Sequence, residues 1–478
     1  MIREIGEIFD IADLKNTRCD VLGLGVSNLP LVDMLASVGA IITVYDKKSR
    51  DELGEAALRL EGLGVSLHLG EFPPKALDGD VIFRSPGIRP DIPAIADALA
   101  RGALLTSEME LFIRLTKANL IGITGSDGKT TTTTLTHLFL QKQLQRLGKA
   151  ECFVGGNIGT PLLSKYKNMT SEDFAVLELS SFQLMTLRTP LSRCAITNLS
   201  PNHLNWHTDM QEYISAKRNI FGEESMLVLN AENAITADIA RERLKNMILF
   251  SSVKDSYAGI VPSGAENTRA LFIRNGAVIC SDGMSECEML RVSDIKLPGL
   301  HNVENYMTAI ALTYGLVDTD IYSEVARSFG GVAHRLEWIA KIDGVDYYNS
   351  SIDSSPTRTS AALSALEQKK VVICGGSDKN IPFAPLADAL SRSNVRCVVL
   401  TGESAEKIYS ALSDARVEFE FVIEKDFTEA VRLAKSKAQK GDALLLSPAC
   451  ASFDRFKNFE ERGAFFKSIV QTFEEKKN

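Results

Sequence analysis

Between Ile121 and Thr131 the chain reads Ile-Gly-Ile-Thr-Gly-Ser-Asp-Gly-Lys-Thr-Thr, a strand-like run that passes through a glycine-rich loop into a helical pattern. Backbone N–H groups of such a loop, with a helix N-terminus behind them, make a cradle for phosphate oxygens. Gly125, Ser126, Asp127 and Gly128 would wrap the phosphates of ATP or GTP. Lys129 would reach the β- and γ-oxygens, and the hydroxyl of Thr130 or Thr131 would hold Mg2+. The spacing departs from the standard Gly-x-x-x-x-Gly-Lys-Thr loop, because Ile123 occupies the place of its first glycine. Glu178 falls late in the strand-like run Phe174–Leu179, where a parallel sheet presents ligands, and is a candidate to hold a nucleotide's metal.

A second phosphate-shaped segment, Gly23-Leu24-Gly25-Val26-Ser27-Asn28, follows a strand-like run, opens a helix and has Asp46 about twenty residues on. Asn28 stands where a third glycine belongs, so a nucleotide-type ligand and a purely structural turn both fit. Ser85-Pro86-Gly87, after the run Asp80–Phe83, is a candidate second wall. Farther on, Met210, Tyr213, Ile214, Lys217 and Phe221 fall on one helical stripe, which turns Lys217 toward apolar neighbours. A buried ammonium needs a partner or a lowered pKa. A snorkelling stem would escape that cost, and a modified or metal-site lysine is the functional alternative. His203, in Pro201-Asn202-His203-Leu204-Asn205-Trp206-His207, lies beyond a strand end where ligands collect. Two histidines four apart do not by themselves make a zinc site.

Such residues must be carried by a regular scaffold, and the pattern supplies one. Strand-like runs alternate with helical periods almost throughout, the mark of parallel α/β units. Runs are read at Cys19–Gly23, Ile41–Tyr45, Leu120–Thr124, Cys194–Asn198, Val371–Cys374, Cys397–Leu400, Phe419–Val422 and Ala443–Leu446, with hairpins turning at Asn275-Gly276 and Asp343-Gly344. Three α/β domains are expected: 1–107, 108–331 and 332–478. The 478 residues are 45% hydrophobic and 24% charged, ordinary for a folded chain. A net charge of −8 disfavours a general affinity for nucleic acid or anionic membrane. No apolar run approaches a membrane span, Met1–Asp10 lacks the pattern of a secretory signal, and the eight cysteines are scattered without metal or disulfide spacing. A cytoplasmic enzyme, monomeric and in a reducing compartment, is expected.

The motifs together resemble the Mur ligases of peptidoglycan synthesis, in the D-glutamate-adding branch. The resemblance is carried by Gly125–Thr131, Gly-Gly-Asn-Ile-Gly at 155–159, Glu-Leu-Ser-Ser-Phe-Gln-Leu at 178–184, Tyr213 with Ala216-Lys217, Gly299-Leu300-His301-Asn302 with Asn305, and His334-Arg335. Its most specific piece is Leu446–Phe459. The resemblance implies a Rossmann-like UDP-binding domain, a central P-loop ATPase-like domain and a Rossmann-like C-terminal domain. It implies ATP-dependent addition of D-glutamate to UDP-N-acetylmuramoyl-L-alanine through an acyl phosphate, with two Mg2+ ions. One ion would rest on Thr130 and Glu178 and a second near His203, served by a carbamylated Lys217. Asn302 and Asn305 would meet adenine and Arg335 the phosphates. Val26, Ser27, Asp46, Lys47, Ser85 and Gly87 would line the UDP site, with Asn157 near the muramoyl part. Ser354, Lys379, Ser452, Phe453 and Phe459 would hold D-glutamate. Ser350 stands where the family often has an aspartate, and Asn202 and Asn205 stand where aspartates often flank the histidine. A Mur-type ligase with another acceptor is the alternative; a nicotinamide oxidoreductase would leave Gly125–Thr131 without purpose, and a nucleotide switch predicts no turnover with an amino acid.

Overall fold

The first five strands are β1 (Arg18–Leu22), β2 (Ile41–Asp46), β3 (Ser66–Leu69), β4 (Val81–Arg84) and β5 (Leu104–Thr106). They pair in parallel in the order β3-β2-β1-β4-β5. In this Rossmann-like order the connections diverge between β1 and β4, and the crevice outside their carboxyl ends is the natural ligand position. The computed structural model describes residues 4–148, 150–297, 299–378 and 382–475.

The second sheet is built from β6 (Asn119–Thr124), β7 (Cys152–Gly156), β8 (Phe174–Glu178), β9 (Leu191–Ile196), β10 (Phe221–Asn230), β11 (Lys245–Ser251), β12 (Glu266–Arg274), β13 (Ala277–Ser281) and β14 (Glu286–Arg291). Their order is β14-β13-β12-β11-β10-β9-β6-β8-β7, parallel from β7 to β12 and antiparallel beyond. β6 therefore lies centrally, flanked by β8 and β9. Asn275 and Gly276 both have positive φ, as a type I′ turn requires, and Arg274 pairs with Ala277. Two expectations are corrected. The run expected at Cys194–Asn198 is strand only as far as Ile196, because Thr197 and Asn198 turn aside to hold the neighbouring loop. Phe221 does not belong to the helical stripe: the helix spans Met210–Arg218, and Phe221 opens β10 by pairing with Leu191.

Both sheets lie in one compact unit, Met1–Ser328, and share a continuous apolar core. The second unit, Phe329–Asn478, holds β15 (Glu337–Ile342), β16 (Val345–Asn349), β17 (Lys370–Gly375), β18 (Val395–Thr401), β19 (Glu420–Ile423) and β20 (Ala443–Leu446). Their order is β15-β16-β20-β17-β18-β19, with β15 alone antiparallel. Val372 and Leu445 pack on one face of this sheet while Val371 and Leu444 pack on the other. Two apolar faces explain why these strands read as unbroken hydrophobic runs. Among the described residues no helix is long and apolar enough to cross a membrane.

The helix Glu108–Leu115 follows β5 and joins the two sheets of the first unit. Glu110 is buried but satisfied: its carboxylate accepts from the Arg188 N–H at 2.6 Å and the Thr106 hydroxyl at 3.1 Å. Glu108 is only 4% exposed, and among the described residues one of its oxygens has no hydrogen-bond partner. Burial raises its pKa to about 7, against the pull of the Leu163 N–H. A raised carboxyl pKa means that the folded state binds the extra proton, so stability falls as pH rises from the unfolded value through about 7. Glu108→Gln should therefore gain about 2–3 kcal/mol on the parent between pH 5 and pH 8, by urea unfolding at both. A difference that does not change with pH would contradict this.

Candidate active site

β6 ends at Thr124, and Gly125-Ser126-Asp127-Gly128 turn the chain into the helix Lys129–Leu147. Gly125 sits at φ +148° and Gly128 at φ +76°. A Cβ on Gly125 would fall 1.9 Å from Thr197 Oγ1, and one on Gly128 would fall 2.2 Å from Asn305 Oδ1. Glycine is the residue that fits both places. The segment after β9 holds the loop from the side. Ser126 N–H donates to the Asn198 carbonyl at 2.9 Å, Asp127 N–H to Asn198 Oδ1 at 3.0 Å, and Thr197 Oγ1 to the Asp127 carbonyl at 2.6 Å. The Ser126 hydroxyl meets the Ser200 carbonyl at 3.0 Å and the Tyr213 hydroxyl at 2.9 Å. Among the described residues no side chain caps the helix that follows, which suits its N-terminus to an anion. Lys129 Nζ arches back over the loop and donates to the Gly125 and Ser126 carbonyls, each at 2.9 Å. Asn305 is buried behind Gly128 and receives the Thr132 hydroxyl at 3.4 Å, while Asn302, one turn earlier on the same helix, is half-buried.

Beside this loop, Glu178 closes β8 in register with Ile123. Its Oε1 accepts from Asn157 Nδ2 at 2.9 Å, and among the described residues its buried Oε2 has no hydrogen-bond partner. An orphaned carboxylate oxygen at a strand end fits a hard cation. Among the described residues no three His, Cys, Asp or Glu side chains gather as a metal cluster, so a cation there would draw further oxygens from elsewhere. Lys217 is 2% exposed, and its Nζ donates to Thr124 Oγ1 at 3.0 Å and the Gly125 carbonyl at 2.9 Å, above the Tyr213 ring. That geometry excludes the snorkelling stem. Burial first, then the charge of Lys129, holds its ammonium well below the usual lysine range, against the attraction of Glu178 and Asp127. His203 is exposed at φ +56°, packed edge-on against Phe182; burial, then Lys129 and Lys217, lower its pKa.

In the first sheet, Asn28 replaces the missing third glycine with hydrogen bonds. Its Nδ2 donates to the Gly23 carbonyl at 2.8 Å and to Ser85 Oγ at 3.0 Å, so it ties β1 to the end of β4. Asp46 is buried and accepts from the Leu24 and Lys48 N–H groups, while Val26 and Lys47 are exposed at the crevice and Ser27 is half-buried. Gly87 accepts from Trp206 Nε1 at 3.1 Å, which brings this wall against the central sheet. Two arginines the motifs did not reveal complete that junction. Arg84, 1% exposed, donates to the Phe182 carbonyl at 2.8 Å and Thr186 Oγ1 at 3.1 Å, and burial lowers its pKa to about 10. Arg89 pairs with Glu212 at 2.9 Å. Neither carries a periodic signal, because each contact crosses about a hundred residues of chain.

Within the second unit, the loops after β16 and β20 meet around Arg462, which is 2% exposed. Its guanidinium donates to the Ser351, Cys450 and Ala451 carbonyls at 2.8–3.1 Å. Ser452 is buried, Phe453 is 71% exposed, and Phe459 opens the helix Phe459–Glu475 while its carbonyl accepts from Ser351 Oγ at 2.9 Å. Ser354 is half-buried, and Arg335 is close enough to Asp353 to attract its carboxylate. Lys379 lies outside the described residues.

Residues 17–107 match the Mur ligase MurD-like N-terminal domain, 123–313 the Mur ligase middle domain and 334–450 the Mur ligase glutamate ligase domain. A UDP-N-acetylmuramoylalanine–D-glutamate ligase of Ruminiclostridium cellulolyticum is 43% identical over 468 residues, 96% of this chain and 97% of that one. The chain belongs to the Mur ligase family. A protein of the same name from Clostridium novyi is 44% identical over 465 residues, again 96% of this chain and 97% of that one. The UDP-N-acetylmuramate-alanine ligase of Thermotoga maritima shares the fold at 19% identity, TM-score 0.51, over 95% of this chain and 99% of that one.

In this Mur ligase the loop after β16 does carry a carboxylate, three residues beyond Ser350. Asp353 is 6% exposed and hydrogen-bonded by the Ser447 hydroxyl at 2.7 Å and by Ser350, whose own Oγ accepts the Leu336 N–H at 3.0 Å. Burial raises the Asp353 pKa. For the phosphate loop, Gly125→Ala should abolish ADP binding measured by calorimetry, since the loop cannot keep both its φ and its contact with Thr197. An ADP affinity within about threefold of the parent would show that the phosphates bind elsewhere.

Proposed function

We propose that this Mur ligase uses ATP to join D-glutamate to UDP-N-acetylmuramoyl-L-alanine, a cytoplasmic step of cell-wall synthesis carried out by a single chain. The observation that carries the reading is the 43–44% identity over 96% of the chain to ligases of that name. The glycine loop with the orphaned Glu178 oxygen beside it supports the ATP half.

A carboxylate does not condense with an amine in water, because oxide is a poor leaving group. Transfer of the γ-phosphoryl group to the alanyl carboxylate gives ADP and an acyl phosphate. The D-glutamate amine then attacks that carbonyl, and the tetrahedral intermediate expels phosphate. In this reading the backbone N–H groups of Ser126–Thr131 hold the phosphates, and Lys129 exchanges the Gly125 and Ser126 carbonyls for phosphoryl oxygens. Bound Mg2+ would neutralise charge on the transferring group, held by Thr130 and Glu178, with a second ion at His203 and a carbamylated Lys217. Asn302 takes the adenine, Asn305 supports the loop from behind Gly128, and Arg335 meets the phosphates. Val26, Ser27, Asp46, Lys47, Ser85 and Gly87 form the UDP crevice, with Asn157 turned to the muramoyl part. Ser354, Lys379, Ser452, Phe453 and Phe459 take the D-glutamate carboxylates.

The deciding experiment is phosphate release from ATP with UDP-N-acetylmuramoyl-L-alanine while the acceptor amino acid is varied. D-glutamate should support turnover and L-glutamate and L-lysine should not; equal rates with L-lysine would overturn the acceptor and leave the ligase class standing.

Carbamylation adds CO2 to the neutral Lys217 amine with loss of one proton, which converts a cation beside the metal position into an anion. An ammonium there would be repelled by roughly 8 kcal/mol from a divalent ion at 4 Å with an effective dielectric near 20. Lys217→Ala should fold yet lose roughly 10²-fold or more in turnover, and added short carboxylic acids should restore part of it. The parent should show a carbamate signal by 13C NMR with labelled bicarbonate that the variant lacks. Full activity of Lys217→Ala without added acid would remove the proposal.

A further inference from the structure

Behind the seam between the first sheet and the phosphate loop sits one imidazole, His207, which touches both Glu212 and Trp206. Besides Arg84, the wall after β4 is gripped at two points: Trp206 Nε1 donates to the Gly87 carbonyl at 3.1 Å, and Arg89 holds Glu212 with both terminal nitrogens, at 2.9 and 3.2 Å. The guanidinium also lies over the Trp206 ring, 5.0 Å from its centroid, and pairs with Asp91 at 2.8 Å. Arg89 first, aided by the Thr208 N–H and His207, lowers the Glu212 pKa to about 2, so this carboxylate is ionised. As an acceptor it fixes its neighbour: His207 Nδ1, 3.0 Å from Glu212 Oε2, carries the proton. In the neutral ring Nε2 is then the acceptor, and the Ser181 hydroxyl at 2.9 Å must donate to it.

The His207 side chain is fully buried, and three of its contacts lead to the candidate chemistry. Ser181 opens the turn of helix three residues after Glu178. The His207 N–H donates to the His203 carbonyl at 2.9 Å. Its ring stands edge-on to Tyr213 at 5.3 Å, and the Tyr213 hydroxyl touches Ser126 in the phosphate loop. Gly87 and Arg89 are thereby linked, through Trp206, Glu212 and His207, to groups next to Glu178, His203 and Ser126.

We propose that His207 is a positioning residue that couples occupancy of the crevice at Ser85 and Gly87 to occupancy of the phosphate loop, an inference that rests on the ligand assignments made above. The coupling is steric and hydrogen-bonded and requires no change in the protonation of His207. Allosteric linkage makes it reciprocal: whatever the UDP substrate does to nucleotide affinity, the nucleotide does to substrate affinity.

Calorimetry on the full chain tests it, with ADP and UDP-N-acetylmuramoyl-L-alanine each titrated alone and in the presence of the other. The parent should show a coupling of about fivefold or more. His207→Phe keeps a ring against Phe182 and Tyr213 and removes both hydrogen bonds. It should bring the coupling to within about twofold of none while each separate affinity stays within about threefold of the parent, a pattern that general destabilisation would not produce. Arg89→Gln, at the accessible end of the relay, should weaken the coupling in the same direction and serves if His207→Phe does not fold. Parent-like coupling in a folded variant, or no coupling in the parent, would overturn the inference. Failure of the parent to bind the UDP substrate at all would overturn the assignment of the crevice, and the inference with it.

Discussion

The turn that leaves β6 has no room for a Cβ at either end, and the surrounding structure is arranged around that steric limit. Thr197, just past the end of β9, crowds Gly125 on one side, and Asn305 crowds Gly128 from a helix nearly two hundred residues later in sequence. Backbone amides in such a turn can approach a polyanion closely because no side chain stands between them and the ligand. The same crowding fixes the loop before any ligand arrives. Preorganisation of this kind lowers the reorganisation needed when charge is transferred.

Charge is handled by burial as much as by pairing. Lys129 and Lys217 both spend their ammonium hydrogens on the Gly125 carbonyl, so two cations converge on one backbone oxygen. Burial first, and then the charge of Lys129, disfavour the charged form of Lys217, so its proton is weakly held. Across the loop, the Glu178 oxygen is the complementary imbalance, a buried acceptor with no donor among the described residues. A site with both faults side by side is stable enough to fold and is suited to a ligand that brings phosphate oxygens and a cation together.

The seam between the first two sheets shows a different solution. Arg84 is buried without a carboxylate among its hydrogen-bond partners; carbonyl oxygens of Ser85, Pro86, Ile88 and Phe182 surround it instead. Those carbonyls come from the loop after β4 and from the helix after β8, so the guanidinium holds the two together by ordering backbone from both. Arg89, at 23% side-chain exposure, uses a true ion pair with Glu212, whose charge is kept in place by two N–H donors as well.

The sequence by itself determined what depends on neighbours along the chain. Alternating strand and helix periods, the two hairpin turns and the phosphate loop were legible because each is written within about ten consecutive residues. The inward direction of Lys217 was legible too, since helical spacing fixes the face, although the stripe was carried one residue group too far at Phe221. Tertiary structure alone decided which distant groups meet. Nothing local marks Asn305 as the neighbour of Gly128, Arg462 as the clasp of two loops, or Asp353 as the carboxylate beside Ser350. His207 was visible as a histidine four residues from another, but its partners Ser181 and Glu212 lie on separate helices. Hydrogen bonds between side chains far apart in sequence leave no period, so only the packed sheets could bring them into view.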